Sequence, residues 1–314
     1  MRKVLVIGSR GQIGIELVEA LQQKLGMENV LGADIHDASA IPESAGKYAQ
    51  LNVLDKEAMH HLIIDQEITE VYQLAALLSA TGEKNPMYAW KLNMEGLLNI
   101  LEIARETKIK LFWPSSIAAF GPTTPSDCTP QRTIMEPTSV YGISKQAGER
   151  WCEYYFLKYG VDVRSIRYPG LIGYKSAPGG GTTDYAVDIF YSAIEKGSYS
   201  CFLQPKTALP MMMMDDAIRA TIELMEAPAE KISIRGAYNL AGVSFTPEQL
   251  ASEIKKQIPA FEITYHEDFR HQLADSWPNS IDDSQAQKDW NWKINFPLET
   301  LVNTMLSEIK KKIS

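Results

Sequence analysis

Two short motifs in the chain combine residue types that could carry out chemistry together. The first is the glycine-rich stretch Gly8-Ser-Arg-Gly11-Gln-Ile-Gly14, and Asp34 ends the next apolar run. The second is Tyr141-Gly-Ile-Ser-Lys145, which Ser116 precedes at the end of a predicted strand. A glycine turn of this kind can cradle a dinucleotide pyrophosphate, and a suitably placed tyrosine can move a proton. Together the motifs predict hydride transfer at an alcohol carbon.

The glycine motif predicts the cofactor. Its three glycines would allow a tight turn, close approach of backbone N–H groups to pyrophosphate, and tight packing of helix on strand. The Asp34 carboxylate would accept hydrogen bonds from the ribose hydroxyls and repel a 2′-phosphate, so we expect NAD rather than NADP. The small residues Leu74-Ala-Ala76 would let the nicotinamide half lie close to the backbone, although ordinary core packing also explains them.

The spacing of Tyr141 and Lys145 places both on one face of a helix. An ammonium near a phenol stabilises phenolate, so we expect the pKa of Tyr141 to fall toward neutrality. Tyr141 could then accept the proton of a substrate hydroxyl. Ser116 could hydrogen-bond the reacting oxygen. Ser115 is the competing candidate, because the strand could point either serine inward.

Apolar runs of strand length alternate with helical patterns through the first half of the chain, which predicts an α/β fold with a doubly wound parallel (Rossmann) sheet. The predicted strands are Val4–Ile7, Val30–Ala33, Leu51–Val53, Glu70–Ala75, Lys110–Ser115 and Asp162–Arg167. The predicted helices include one capped by Asp55 and reaching about Asp65, and two long ones at Pro86–Glu106 and Tyr141–Tyr159.

This regularity ends after Gly170. Residues 1–170 are predicted to form the NAD-binding domain, and residues 171–314 a smaller C-terminal α/β substrate domain. The strand and helix around 211–241 would return to the first domain. The predicted elements here are a loop at Pro178–Thr183, helices at Asp184–Lys196 and Asp215–Met225 (capped by Asp215), a helix start at Thr246, and strands at Met211–Met214, Ala237–Leu240 and Phe261–His266.

Composition excludes several classes of protein. The chain has 314 residues and a net charge of −8, which argues against nucleic-acid binding because phosphates would be repelled. Its three cysteines and five histidines have neither disulfide nor metal-ligand spacing, so no metal is expected. No run of 18 apolar residues occurs, and no signal-peptide pattern precedes the first strand. We therefore expect no membrane span and a cytoplasmic location.

These residues as a set resemble the extended short-chain dehydrogenase/reductase family, in the branch that contains sugar-nucleotide epimerases and dehydratases. The resemblance implies that Ser116 is the catalytic serine, that Lys145 also binds the nicotinamide ribose, and that Tyr168 and Pro169 contact the nicotinamide end. The chain departs from the family at Phe120, often a tyrosine, and at Asn52, often an acidic residue that contacts adenine. The cofactor-binding residues implied are Gly8, Gly11, Gln12, Ile13, Gly14, Asp34, Ile35, Leu51, Asn52, Leu74, Ala75, Ala76, Asn93, Tyr141, Lys145, Tyr168 and Pro169.

Motifs in the second half resemble the short-chain type of L-threonine 3-dehydrogenase: Gly179–Asp188, Met213–Ala217, Ser276–Asp283 and Asp289–Trp292. That family oxidises the β-hydroxyl of threonine with NAD, giving 2-amino-3-oxobutanoate. The expected substrate-binding residues are Ser79, Ser116, Tyr141, Thr182, Thr183 and Trp277. Asp184 could meet the ammonium, although a helix N-cap is the other reading. The alternatives are a sugar-nucleotide epimerase or dehydratase, and a non-catalytic NAD-sensing regulator.

The two long helices also predict a homodimer, which the family resemblance implies as well. Each carries more apolar and aromatic residues than one sheet-facing stripe uses, so we expect a four-helix bundle across a two-fold axis. The residues expected at this interface are Tyr88, Trp90, Leu98 and Leu101 on the first helix and Trp151, Tyr154, Tyr155 and Phe156 on the second.

Overall fold

The computed structural model describes residues 2–37, 39, 45–175 and 181–313. Its strands are β1 (Val4–Ile7), β2 (Val30–Asp34), β3 (Lys47–Gln50), β4 (Glu70–Gln73), β5 (Lys110–Phe112), β6 (Ser115–Ser116), β7 (Val163–Arg164), β8 (Ile166–Tyr168), β9 (Gly170–Ile172), β10 (Ser198–Cys201), β11 (Leu209–Met213), β12 (Tyr238–Asn239), β13 (Val243–Phe245) and β14 (Glu262–Tyr265). Its α-helices are α1 (Gln12–Leu25), α2 (Lys56–Asp65), α3 (Ser79–Gly82), α4 (Pro86–Thr107), α5 (Val140–Tyr159), α6 (Tyr185–Lys196), α7 (Met214–Glu226), α8 (Pro247–Lys255), α9 (Phe269–Asp275), α10 (Ser284–Trp290) and α11 (Leu298–Ile313).

The largest sheet has six parallel strands in the order β3-β2-β1-β4-β5-β7. The chain winds outward from β1 in both directions, as in doubly wound folds. Alternate residues of β1 face opposite sides of the sheet. Val4 and Val6 pack with residues of α1 and α7, whereas Leu5 and Ile7 pack with residues of α2 and α4. A strand buried on both faces explains the unbroken aliphatic run, and the predicted fold class is confirmed.

Two predicted strands of the first half differ from the structure. The third is Lys47–Gln50 rather than Leu51–Val53, because it is a half-exposed edge strand without an apolar run, while Leu51 and Val53 are buried beyond its end. The predicted strand Lys110–Ser115 is divided into β5 and β6 around Pro114, which has no N–H to donate to a ladder. The strand predicted at Asp162–Arg167 is likewise divided into β7 and β8.

The second half forms smaller sheets. Strand β11 pairs in parallel with β9 and antiparallel with β13, and β10 pairs in parallel with β14. These strands pack with α6, α8 and α11 around a separate core cluster. By contrast, α7 and β12 pack into the cluster on one face of the main sheet. This packing agrees with a return of the chain toward the first half, and the division at residue 170 stays a prediction.

One helix start in the second half agrees with the sequence prediction, and another does not. Helix α8 begins after Thr246, as predicted, and Thr246 and Gln249 form a capping box there. The predicted cap at Asp215 is wrong. Helix α7 starts at Met214 without a side-chain cap, and Asp215 lies in its first turn, where a negative charge suits the helix dipole. The short strands β9, β10 and β13 and the helix α3 were not predicted, since none exceeds four residues.

Helices α4 and α5 pack side by side and leave several large apolar side chains exposed. Of the residues predicted at a dimer interface, Leu101 and Tyr155 are buried in the core and are therefore not available for contact with a second copy. Tyr88, Trp90, Trp151 and Tyr154 are exposed, as are the unpredicted Met87, Ile143 and Leu157. None of the helices in the described part of the chain is both long and apolar enough to cross a membrane.

Candidate active site

The glycine turn joins β1 to α1 in a geometry that only glycine allows at two positions. Gly8 has a φ of +83°, and a Cβ there would lie 2.7 Å from the Ala75 backbone nitrogen. A Cβ on Gly14 would overlap the Gly8 carbonyl oxygen. At the N-cap of α1, Gly11 contributes no side-chain hydrogen bond to the first helical N–H groups. These N–H groups form a site suited to a phosphate.

Asp34 lies at the carboxyl end of β2 beside this turn. Its carboxylate accepts hydrogen bonds from the Arg10 backbone N–H at 3.0 Å, the Ile35 backbone N–H at 2.8 Å and His36 Nδ1 at 2.7 Å. Leu51 is placed next to it, because its backbone N–H donates to the Asp34 carbonyl oxygen at 2.7 Å. The Asn52 side chain accepts a hydrogen bond from the Leu54 backbone N–H. The residues predicted to bind the adenosine half of the cofactor therefore lie together at the carboxyl ends of β2 and β3.

Asn93 holds the loop after β4 rather than facing the cleft. Its amide oxygen accepts from the Leu77 backbone N–H at 2.8 Å, and its amide nitrogen donates to the Leu77 carbonyl and to Ser144 Oγ. The buried side chain therefore ties this loop to α4 and α5. Resemblance to the family placed Asn93 in the cofactor site, and the structure places it behind that site.

Ser116, Tyr141 and Lys145 meet in a cleft at the carboxyl ends of the strands. Ser116 lies beside Tyr141, which is in the first turn of α5. Gly142 allows the close packing of this turn, because a Cβ there would overlap the Ala118 carbonyl oxygen. The Ser115 hydroxyl instead donates to Glu149 at 2.6 Å. Of the two serines, Ser116 is therefore the one whose hydroxyl is left for the tyrosine and a substrate.

The acid–base properties of the site differ from those expected. Burial raises the pKa of Tyr141 to about 12, and the neighbouring Ser116 hydroxyl offsets this pKa rise only in part. Burial also lowers the pKa of Lys145 to about 7. The prediction that Lys145 brings the pKa of Tyr141 toward neutrality is wrong for this arrangement, since desolvation dominates at both groups.

Lys145 is fixed by contacts with the segment between β5 and β6. Its ammonium donates to the Pro114 carbonyl oxygen at 2.5 Å and lies 4.4 Å from the centre of the Trp113 ring. The distance to the centre of the Tyr141 ring is 5.3 Å. The sequence gave no reason to assign Trp113 or Pro114 to the site. Their position, directly after a central strand, is the only signal that could have done so.

The same cleft is also lined by Ser79, Thr182, Thr183 and Trp277. Thr182 Oγ1 is buried and has no hydrogen-bond partner among the described residues. Trp277 also packs beside a small apolar cluster that contains Ile117 and Phe120, so it serves as both wall and core. The residues before Gly181 in the predicted glycine-rich loop, 178–180, lie outside the described residues.

Asp184 also lines the cleft. It occupies the N-cap position of α6, but its side chain does not cap the helix. Its carboxylate instead accepts a hydrogen bond from the Gly181 backbone N–H at 2.7 Å. The N-cap reading is therefore correct for the position and wrong for the side chain.

The cleft brings together residues from distant parts of the sequence. Tyr168 contributes its ring while its hydroxyl bonds Thr221 in the core. The predicted site residues that line the cleft are Gln12, Ile13, Leu74, Ala76, Ser79, Ser116, Tyr141, Lys145, Tyr168, Pro169, Thr182, Thr183 and Trp277. The other predicted residues do not line it; they lie at the glycine turn, along the adjoining strand ends, or behind the site: Gly8, Gly11, Gly14, Asp34, Ile35, Leu51, Asn52, Ala75 and Asn93.

A fold and site of this kind define an NAD-binding enzyme that acts at a carbinol carbon, and comparison with known proteins agrees. Residues 4–241 match the model of the NAD dependent epimerase/dehydratase family, and the chain belongs to that family.

Several similar proteins carry a more specific name. A partial-consensus L-threonine 3-dehydrogenase is 57% identical with a TM-score of 0.96, covering 98% of this chain and 99% of the other. The holo form of a GalE-like L-threonine dehydrogenase from Cupriavidus necator is 56% identical with a TM-score of 0.95, at the same coverage. The mitochondrial L-threonine 3-dehydrogenase of Bos taurus is 46% identical over 98% of this chain and 82% of its own.

Two further structures bear on the alternatives. A UDP-glucose 4-epimerase from Thermotoga maritima has a TM-score of 0.85 but is only 23% identical, so the likeness extends to the fold alone. An L-threonine 3-dehydrogenase described as monomeric is 44% identical with a TM-score of 0.95 and covers 99% of this chain and 100% of its own. The family therefore leaves the oligomeric state of this chain open.

Proposed function

We propose that the chain is an NAD-dependent L-threonine 3-dehydrogenase, which oxidises the β-hydroxyl of L-threonine to 2-amino-3-oxobutanoate. The observation that carries this proposal is the cleft itself, which brings Ser116, Tyr141 and Lys145 together with the buried hydroxyl of Thr182, a group without a partner among the described residues. A small polar substrate is suited to such a cleft, and the similarity to named L-threonine dehydrogenases supports the choice of threonine.

The residues present fit a dinucleotide. The uncapped start of α1 at Gly11, Gln12 and Ile13 would hold the pyrophosphate, and Asp34 would accept hydrogen bonds from the adenine ribose. The segment 74–76, Tyr168 and Pro169 would lie against the nicotinamide half. Bound NAD supplies the acceptor for the hydride from the β-carbon. The carboxylate of Asp34 would repel a 2′-phosphate, so rates with NADP should be much lower than with NAD.

Tyr141 is positioned to take the proton of the substrate hydroxyl, and Ser116 to hydrogen-bond the same oxygen. Burial makes the phenolate of Tyr141 and the ammonium of Lys145 each unfavourable alone, whereas the two charges together offset part of that cost. Proton acceptance by Tyr141 is therefore easier while Lys145 carries its positive charge. The hydrogen bond to the Pro114 carbonyl oxygen and the contact with the Trp113 ring hold Lys145 in place.

Thr182 and Ser79 are proposed as anchors for the polar groups of threonine, with Trp277 as a wall. The unpartnered Thr182 hydroxyl supports this assignment, because a buried polar group without a partner costs free energy that a ligand can restore. The methyl group of threonine would occupy an apolar part of the cleft. Serine lacks this methyl, so its kcat/KM should fall by about 10-fold or more.

The test is a substrate panel with the purified protein and NAD, followed by NADH absorbance. L-threonine should give NADH, L-serine much less, and UDP-galactose and UDP-glucose none. UDP-galactose should also not be epimerised, which an assay coupled to UDP-glucose dehydrogenase detects. Conversion of UDP-galactose without any oxidation of threonine would overturn the proposal in favour of a sugar-nucleotide epimerase.

We also propose a homodimer formed through α4 and α5, and a cytoplasmic location. The exposed apolar residues on both helices support the dimer. The three cysteines are unpaired, which agrees with a reducing compartment.

A further inference from the structure

Helix α5 carries a third polar residue in line with the two of the motif. Tyr141, Lys145 and Glu149 are spaced by four residues each, so they share one face of the helix. Glu149 is fully buried, and its carboxylate accepts the hydrogen bond of Ser115 at 2.6 Å. The residue bonded to Glu149 is thus the direct neighbour of Ser116, which lines the same cleft as Tyr141.

The carboxylate of Glu149 is held rigidly on its other side by Arg167. The guanidinium donates to both carboxylate oxygens, from Nε at 2.9 Å and from Nη2 at 2.8 Å. A bidentate pair of this kind fixes orientation as well as distance. Arg167 is itself held by Asn239, whose side-chain oxygen accepts from Nη1 at 2.8 Å. The buried Glu149 charge is therefore balanced and cannot readily move.

Both partners of Glu149 lie at the same height in adjacent strands. Ser115 of β6 is paired with Arg167 of β8, and the next pair is Ser116 with Tyr168. Glu149 thus joins α5 to both strands one residue before the proposed catalytic serine. Any sliding of α5 along β6 would lengthen the Ser115–Glu149 hydrogen bond and would at the same time separate Ser116 from Tyr141.

We propose that Glu149 is a positioning residue that acts through Ser115: it sets the height of β6 against α5 and so holds Ser116 beside Tyr141 in the cleft. This inference rests on the proposed function for its kinetic consequence, and its structural consequence can be measured without substrate. Ser115 lines the same cleft, but its hydroxyl is held by Glu149, which is not among the residues that line the cleft.

The first variant is Ser115→Ala, which removes the link and leaves the Glu149–Arg167 pair intact. Its matched control is Ser165→Ala, because Ser165 is also a buried serine between neighbouring strands, and its hydroxyl has no partner among the described residues. Ser115→Ala should lower kcat about 10-fold or more, since small displacements of reacting groups have effects of that order. KM for threonine, the Kd of NAD and the Tm should change little, and Ser165→Ala should keep wild-type kcat.

A double variant separates positioning from general packing. If Ser115 acts only through Ser116, then adding Ser115→Ala to Ser116→Ala should lower kcat by less than 2-fold beyond Ser116→Ala alone. If Ser115→Ala lowers kcat by the same factor in the wild-type protein and in Ser116→Ala, the two serines act independently, and the inference is overturned. Should Ser115→Ala be too unstable to assay, Ser115→Cys, with a weak S–H donor in similar space, takes its place with the same expected outcomes.

The substrate-free readout is the ¹³Cζ NMR signal of Tyr141 in tyrosine-labelled protein, assigned with Tyr141→Phe. Ser115→Ala should move this signal toward its position in Ser116→Ala, whereas Ser165→Ala should leave it unchanged. A Tyr141 signal unaffected by Ser115→Ala overturns the inference. A wild-type protein that does not oxidise threonine, but shows the expected signal shift, would refute the proposed function and support the positioning role.

Discussion

At the residue scale, Tyr141 and Lys145 are two buried groups whose charges are each unfavourable alone. Burial raises the pKa of Tyr141 to about 12 and lowers that of Lys145 to about 7. Removal of the phenol oxygen should therefore abolish the only proposed proton acceptor without disturbing the ring. The spacing of the two residues was sufficient to predict that they share a face. It could not predict the pKa directions, which depend on desolvation by parts of the chain distant in sequence.

Tyr141→Phe should lower kcat by at least about 10²-fold, the effect expected when a general base is removed. NAD binding, measured by fluorescence titration or calorimetry, should stay nearly unchanged, because the proposed contacts with the dinucleotide lie mainly at the glycine turn. A variant that keeps more than about a tenth of wild-type turnover would contradict the role of Tyr141.

Thr182→Ala should mainly raise KM for threonine, because it removes an anchor that is distant from the reacting bond. Thr182→Ser is the matched control, since it keeps the hydroxyl and removes only the methyl. We expect KM to rise about 10-fold for Thr182→Ala, with kcat within about 3-fold of wild type, and a smaller change for Thr182→Ser. Steady-state kinetics with threonine and NAD check this. A fall in kcat at unchanged KM would place Thr182 in the chemistry instead.

At the element scale, α1 contains a buried carboxyl that the site does not use. Glu16 is 5% exposed, and burial raises its pKa from 4.5 to about 7. Because the folded pKa lies above the unfolded one, the native state holds more protons between these values. The stability contribution of Glu16 is therefore fully present below pH 4.5 and is lost as the pH rises through about 7.

Glu16→Gln should accordingly stabilise the protein above pH 7 and have little effect near pH 5. Thermal unfolding at pH 5 and pH 8 checks this, with a gain in Tm of roughly 2–4 °C at the higher pH, the shift that about 1 kcal/mol produces in domains of moderate size. Glu19→Gln is the control, because Glu19 lies on the same helix and pairs with Lys175 at the surface. A gain in Tm that is equal at both pH values would refute the titration of Glu16 as its cause.

The elements that the sequence predicted well are those whose environment is uniform along their length. Strand β1 is buried on both faces and reads as an aliphatic run, and α8 begins at a capping box formed by neighbours in sequence. The edge strand β3 was misplaced because its side chains are half exposed and its pairing with β2 is decided by tertiary contacts. The partner of Ser115 could not be predicted either, since Glu149 lies 34 residues away and carries no motif.

At the scale of the whole molecule, α4 and α5 present an apolar surface that nothing else in the described chain covers. Met87 on α4 is 76% exposed and Leu157 on α5 is 74% exposed. Trp151 and Tyr154, also on α5, are exposed to a smaller extent. Exposed apolar side chains clustered on adjacent helices favour association of two copies through the same face. Because Tyr155 and Leu101 are buried, this apolar surface is smaller than the sequence predicted, but it is still present.

The homodimer prediction is tested by light scattering at micromolar concentration, where the wild-type mass should be twice 35.1 kDa. Leu157→Glu should shift the protein toward the monomer, because a buried unpaired carboxylate opposes association through this face. Phe269→Glu on α9 is the matched control, since Phe269 is also well exposed (61%) but lies outside α4 and α5, and it should leave the mass unchanged. A wild-type mass of one chain would refute the dimer and place this protein with the relative described as monomeric.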